Sequence, residues 1–111
     1  MYYLEKEVTI ASSHHLRNYD GKCKNLHGHN WRIKVYCKGT TLNTLGILID
    51  FSKIKKICNK LDHQDLNQVE PFNVINPTAE NISKVLCEEI PFCYKVELWE
   101  TESSKVTYVK D

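Results

Sequence analysis

The residues most able to do chemistry in this chain are His14, Cys23, His27, His29, Asp62, His63 and Glu100. His27-Gly28-His29 is the sharpest local signal, because residues i and i+2 of a strand point the same way and both imidazoles can reach one ion. The pair keeps step with Trp31 and Ile33, on the apolar face of its segment. Two half-buried histidines bonded to backbone are the plain alternative. His14 extends the Leu4, Val8, Ile10 face of an earlier segment through Ser12. If the two segments pair, His14 joins His27 and His29. Three imidazoles with one open position is the arrangement of a catalytic rather than a closed structural zinc site. His15 points the other way and reads as a solvated loop residue.

Cys23 lies four residues before His27, between Lys22 and Lys24. A thiol next to a divalent cation and two ammonium groups favours its thiolate form and can serve as ligand, nucleophile or base. Taken alone, it is more simply an inert loop cysteine. Asp62-His63 places a carboxylate beside an imidazole, which can orient the ring for acid–base work. It is equally the end of a helix, with a favourable histidine and a solvated carboxylate. Glu100 is in phase with Tyr94, Val96 and Leu98, and a carboxylate on an apolar strand face needs a partner. A ligand's N–H groups could supply one. Fraying at the strand end would remove the need.

These residues require a frame. Residues 2–13 alternate as a strand, with Leu4, Val8 and Ile10 opposite Glu5, Glu7 and Thr9. Residues 28–38 alternate more cleanly, with Trp31, Ile33, Val35 and Cys37 on one face and Arg32, Lys34 and Lys38 on the other. A polar loop, residues 16–26, joins them. Residues 52–61 change to helical spacing through Ile54, Ile57, Cys58 and Leu61, with Ser52 expected as the N-cap. A second helix is expected from Thr78, its cap, to Pro91, with Ile82, Val85, Leu86 and Ile90 inward. Two strands follow, the first carrying Tyr94, Val96 and Leu98 on one face, the second Val106 and Tyr108, with a turn at Glu102-Ser103-Ser104. The order ββααββ reads as α+β: a four-stranded antiparallel sheet with both helices on one face. Two sheet edges remain open, which oligomerisation would cover.

Composition limits the function classes. The 111 residues make one domain, 1–111, of near-zero net charge, +1. That balance gives no reason to expect a nucleic-acid or acidic-membrane partner. No apolar run approaches the ~20 residues of a membrane span. The start lacks a basic region followed by an apolar stretch, so a cytoplasmic protein is expected. The five cysteines are odd in number and contain no C-x-x-C pair, which argues against a disulfide framework.

Taken in order, S-S-H-H-L at 12–16, C-K-N-L-H-G-H-N-W at 23–31, G-I-L-I-D-F at 46–51, L-D-H-Q-D-L-N at 61–67, N-P-T-A-E-N at 76–81 and W-E-T at 99–101 closely resemble the 6-pyruvoyl-tetrahydropterin synthase family. The likeness spans nearly the whole chain. The C-x-x-x-H-G-H spacing resembles the bacterial 6-carboxy-tetrahydropterin synthase branch of the queuosine pathway; the biopterin-forming branch usually has a longer gap. The resemblance implies a tunnelling fold assembled as a trimer or hexamer, with active sites at subunit interfaces. It implies conversion of 7,8-dihydroneopterin triphosphate to 6-carboxy-5,6,7,8-tetrahydropterin, acetaldehyde and triphosphate. It implies His14, His27 and His29 as Zn2+ ligands, Cys23 as proton-abstracting base and Asp62 with His63 as a proton-transfer pair. Glu100 would anchor the pterin, and Thr78 would help frame its pocket. Arg17, Lys22 and Lys24 are candidates to receive the triphosphate. His15 departs from the family's common Arg or Lys. Rival readings are a pyruvoyl-forming or aldolase-type enzyme on the same fold, and a non-catalytic zinc- or pterin-binding module.

Overall fold

A computed structural model describes residues 1–111. The elements run β1 (Tyr2–His14), β2 (His27–Gly39), α1 (Phe51–Asn59), α2 (Ala79–Glu89), β3 (Cys93–Thr101) and β4 (Ser104–Val109). The strands form one antiparallel sheet in the order β1-β2-β3-β4. The expected α+β architecture is the one observed. Strand β1 and strand β2 pair without interruption from Tyr2↔Gly39 to His14↔His27. At ~3.3 Å per residue, this 13-residue hairpin accounts for the long 50 Å axis of the molecule.

One face of the sheet is apolar, and both helices lie on it. Val8, Ile10, Trp31, Ile33, Val35, Val96 and Leu98 meet Ile54, Cys58, Ile82, Leu86 and Cys87 in one continuous core. Each helix begins with a side-chain cap, but not always the expected one. Asp50, rather than Ser52, caps α1: its carboxylate accepts from both the backbone N–H and the hydroxyl of Ser52. Both residues are good caps two positions apart, and the helix starts one residue earlier than its periodicity suggests.

Tyr94 also departs from expectation. Tyr36 pairs with Lys95 but Cys37 pairs with Cys93, so Tyr94 is an extra residue in a β-bulge. Cys93 thereby takes the inward position. Tyr94 turns to the helix-free face, where it meets Tyr3, Tyr36 and the ammonium of Lys38.

Thr78 caps α2 as expected, its hydroxyl accepting from the Asn81 N–H at 3.1 Å. Loss of this bond should lower stability by about 1 kcal/mol. Urea denaturation of Thr78→Ala is the measurement. A midpoint equal to that of the parent chain would mean the cap contributes nothing.

Candidate metal centre and active site

The antiparallel register builds the centre. His14 and His27 are cross-strand partners, and Ser12 pairs with His29. The three imidazoles therefore project from the end of the hairpin onto its apolar face. Their ring centroids lie 4.6, 5.1 and 4.8 Å apart, and their ligand atoms all fall within 4.8 Å of one another. The Trp31 ring packs edge-on against His14 and His29, at 4.9 and 5.1 Å, and closes the apolar side.

The tautomers are fixed from behind. His14 Nδ1 lies 2.7 Å from the Pro77 carbonyl, and His27 Nδ1 lies 2.7 Å from the Asn25 carbonyl. A carbonyl only accepts, so each Nδ1 carries the proton and each Nε2 keeps its lone pair. His14 is 2% exposed. Nε2 of His14 and Nε2 of His29 are buried without any hydrogen-bond partner. A buried polar nitrogen left unpaired is costly, and two such nitrogens in one three-histidine cluster are what a bound divalent cation relieves. The donor set therefore fits a metal ion.

Burial lowers the pKa of His14 below the usual 6.5, against smaller raising effects of its backbone bond to Pro77 and of Glu100. Burial likewise lowers that of His29, opposed by the Glu100 charge. Neutral imidazoles are the ligating form. The sign for stability follows. As pH falls through 6.5, the unfolded chain takes up these protons before the folded one does. The metal-free protein should therefore keep full stability above pH 6.5 and lose it progressively below. Urea midpoints of chelator-treated protein at about pH 7.5 and 5.5 test this; a midpoint unchanged or higher at the acid pH would contradict it.

Glu100 joins the cluster. Its Oε1 is 3.3 Å from His29 Nε2, an ion-pair distance without hydrogen-bond geometry. Trp99 pairs with Lys105 and Thr101 with Ser104, so Glu100 is itself a bulged residue, aimed at the histidines.

Asp62 and His63 form a pair at 3.0 Å, Oδ2 to Nδ1, on the free edge of β1. The Asp62 carboxylate accepts from the Ala11 N–H at 2.8 Å, and the His63 N–H donates to the Ala11 carbonyl at 2.7 Å. Ser13 bridges to Asp65 just beyond. That Ala11 bond, with a smaller contribution from His63, holds the Asp62 carboxyl below the ordinary carboxylate range. His63 adopts φ 56°, a left-handed conformation uncommon outside glycine, and its side chain is 82% exposed. The ring is thus held outward rather than folded onto the protein.

Cys23 sits in a short 3-10 turn, Lys22–Lys24, and is half-buried, whereas Cys37, Cys58, Cys87 and Cys93 are buried. Its thiol is outside the ligand group. Arg17, one candidate for phosphate contact, donates from its guanidinium to the Phe72 carbonyl at 2.9 Å. The Thr78 hydroxyl is engaged by its cap, while the preceding Pro77 carbonyl orients His14. Sequence reasoning gave no role to Asn67 or Asn76, which bind the backbone beside His14.

Residues 3–111 match the family model described as "6-pyruvoyl tetrahydropterin synthase". This chain belongs to that family. A 6-carboxy-5,6,7,8-tetrahydropterin synthase of Synechocystis is 34% identical, over 97% of this chain and 93% of its own length. A 6-pyruvoyl tetrahydrobiopterin synthase of Dictyostelium discoideum is 31% identical, over 95% of this chain and 93% of its own length. The solved structure of Caenorhabditis elegans 6-pyruvoyl tetrahydropterin synthase superposes with a TM-score of 0.80 at 28% identity, covering 99% of this chain and 96% of that one. The family's synthases are lyases, and the three-histidine cluster is compatible with metal use in such an enzyme. No helix is long and apolar enough to cross a membrane.

Proposed function

We propose that the chain is a zinc-dependent lyase that converts 7,8-dihydroneopterin triphosphate and one water to 6-carboxy-5,6,7,8-tetrahydropterin, acetaldehyde and triphosphate, a step of queuosine biosynthesis. The observation that carries the reading is the convergence of His14, His27 and His29, with Glu100 3.3 Å from one of them, in a chain of this family. The C-x-x-x-H spacing from Cys23 to His27 favours the carboxy branch, as does the 34% identity to a relative of that name.

His14, His27 and His29 would hold the ion through Nε2. Bound there, it supplies Lewis-acid polarisation of a substrate oxygen. Three imidazoles favour Zn2+ among the abundant divalent ions, without excluding neighbours in the series.

The rest is work for side chains. Glu100 accepts two hydrogen bonds from amino and ring N–H groups of the pterin, which fixes the ring in register. Cys23 removes a proton from the substrate side chain. Asp62 holds the His63 ring at Nδ1, leaving Nε2 to deliver or relay a proton. The segment around Thr78 frames the pterin pocket, with the threonine hydroxyl retained as the helix cap. Lys22 and Lys24, both exposed beside Cys23, are candidates to receive the triphosphate.

The working unit is a homo-oligomer, a trimer or hexamer, in the cytoplasm. Strand β4 has no strand neighbour on its outer side, and β1 is bridged on its free edge only near Ser13. Such edges are covered when copies join. His63 is exposed on that edge, and in an assembly whose sites lie between copies Asp62-His63 and Cys23 need not meet within one chain.

A pyruvoyl product is the second reading, favoured by the Dictyostelium relative and the Caenorhabditis structure. The test is incubation of zinc-loaded protein with 7,8-dihydroneopterin triphosphate and identification of products by mass. A carboxy-tetrahydropterin with acetaldehyde is the expected result. A pyruvoyl product would move the enzyme to the sister branch. Untouched substrate with bound zinc would overturn the lyase reading in favour of a binding module.

A further inference from the structure

Three successive residues after the ligand His14 are pinned, each by a different partner. The Asn67 carboxamide accepts from the His15 N–H at 2.9 Å and donates to the His15 carbonyl at 3.0 Å. The Asn76 carboxamide does the same to Arg17, accepting from its N–H at 2.9 Å and donating to its carbonyl at 2.9 Å. Between them, the Leu16 N–H donates to the Cys23 carbonyl at 2.7 Å.

Each asparagine therefore stands in for a peptide unit of a missing strand. It offers one acceptor and one donor at the spacing that a single residue's N–H and C=O require. Only a carboxamide can do so: aspartate keeps the acceptor but sets a carboxylate against a carbonyl, and alanine loses both.

The mounts are themselves fixed. Asn67 is 4% exposed, in a 3-10 turn capped by Asp65. The Asn76 carbonyl accepts from the Asn81 side chain at 2.9 Å, tying it to the first turn of α2. The neighbouring Pro77 carbonyl orients His14. One short segment thus sets the tautomer of a metal ligand and the path of the loop that leaves it.

We propose that Asn67 and Asn76 are positioning residues: as two detached peptide units they clamp residues 15–17, and through Leu16 they hold Cys23 at a fixed place relative to the histidine cluster. The effect on turnover rests on the role proposed above for Cys23; the clamp itself does not.

The experiment has two arms. The first compares Asn76→Asp and Asn67→Asp with the parent chain, all zinc-loaded. Cys23 is the one cysteine that is not buried, so the rate of alkylation by iodoacetamide in the native protein reports on it alone. Expected is metal content unchanged, alkylation several-fold faster, and kcat lowered by about 10²-fold with KM nearly constant, as for a displaced reacting group. Alkylation and kcat both equal to the parent's would overturn the proposal. If the parent chain proves inert towards the pterin, faster alkylation in the variants still supports the clamp, and an unchanged rate still sinks it. The second arm needs no variant. Amide hydrogen exchange in the parent chain should protect His15 and Arg17 as well as the neighbouring β1 amides. Exchange as fast as at Asp20 would overturn the clamp even if both variants failed to fold.

Discussion

Alanine at Cys23 should lower turnover of 7,8-dihydroneopterin triphosphate by about 10³-fold, within the range expected for loss of a positioned general base, and leave the metal content of the protein unchanged. The two halves of this result have separate grounds. Cys23 is the only thiol with access to solvent, so no other cysteine can replace it at the substrate. Its sulfur is not a member of the histidine cluster, so the ion does not depend on it. Its turn packs no buried residue, so folding should be unaffected. Steady-state rates and metal analysis on the same preparation decide the matter. A fall of less than tenfold would assign proton abstraction to another group, and loss of the metal would make Cys23 a ligand.

The second large effect concerns stability. Zinc should stabilise the chain by about 4 kcal/mol at a free concentration 1,000-fold above its Kd. The shift should vanish in His14→Ala. The buried Nε2 atoms of His14 and His29 have no hydrogen-bond partner in the protein, so a bound ion would satisfy groups that folding leaves unsatisfied. Because His14→Ala also opens a cavity and removes one unpaired acceptor, its absolute melting temperature is ambiguous. The metal-induced change in melting temperature is not. A shift in His14→Ala equal to the parent's would place the ion elsewhere, and no shift in the parent chain would exclude a tight site at the histidines.

Much of this centre is legible in the order of residues because strands obey a two-residue period. Once β1 and β2 are recognised, His14, His27 and His29 must share a face, and pairing brings them together. Glu100 is legible for the same reason, although the bulge that aims it is not. Bulges insert a residue by agreement between two strands, so one strand's alternation carries no sign of them. This is why Tyr94 reads as inward and is found on the open face beside Tyr3 and Tyr36. The α1 cap fails differently, since Asp50 and Ser52 are both competent and only the backbone path chooses. The asparagine clamps lie 52 and 59 residues from their targets. Nothing local distinguishes such an asparagine from a loop residue that faces water.

The uninterrupted pairing of β1 with β2 also bears on how this protein tolerates change. Because the ladder runs to His14↔His27, it is backbone pairing that shuts the base of the loop spanning residues 15–26. Lengthening a chain segment whose ends are already joined is cheap: each doubling adds only about 0.6 kcal/mol of closure entropy. The segment carrying Cys23 can therefore gain or lose residues while the histidines stay where the ladder puts them. Insertions there would change how far the thiol reaches without unmaking the cluster beneath it. A single hairpin of this kind holds its histidines in a constant arrangement while loop length alone sets the reach of the thiol.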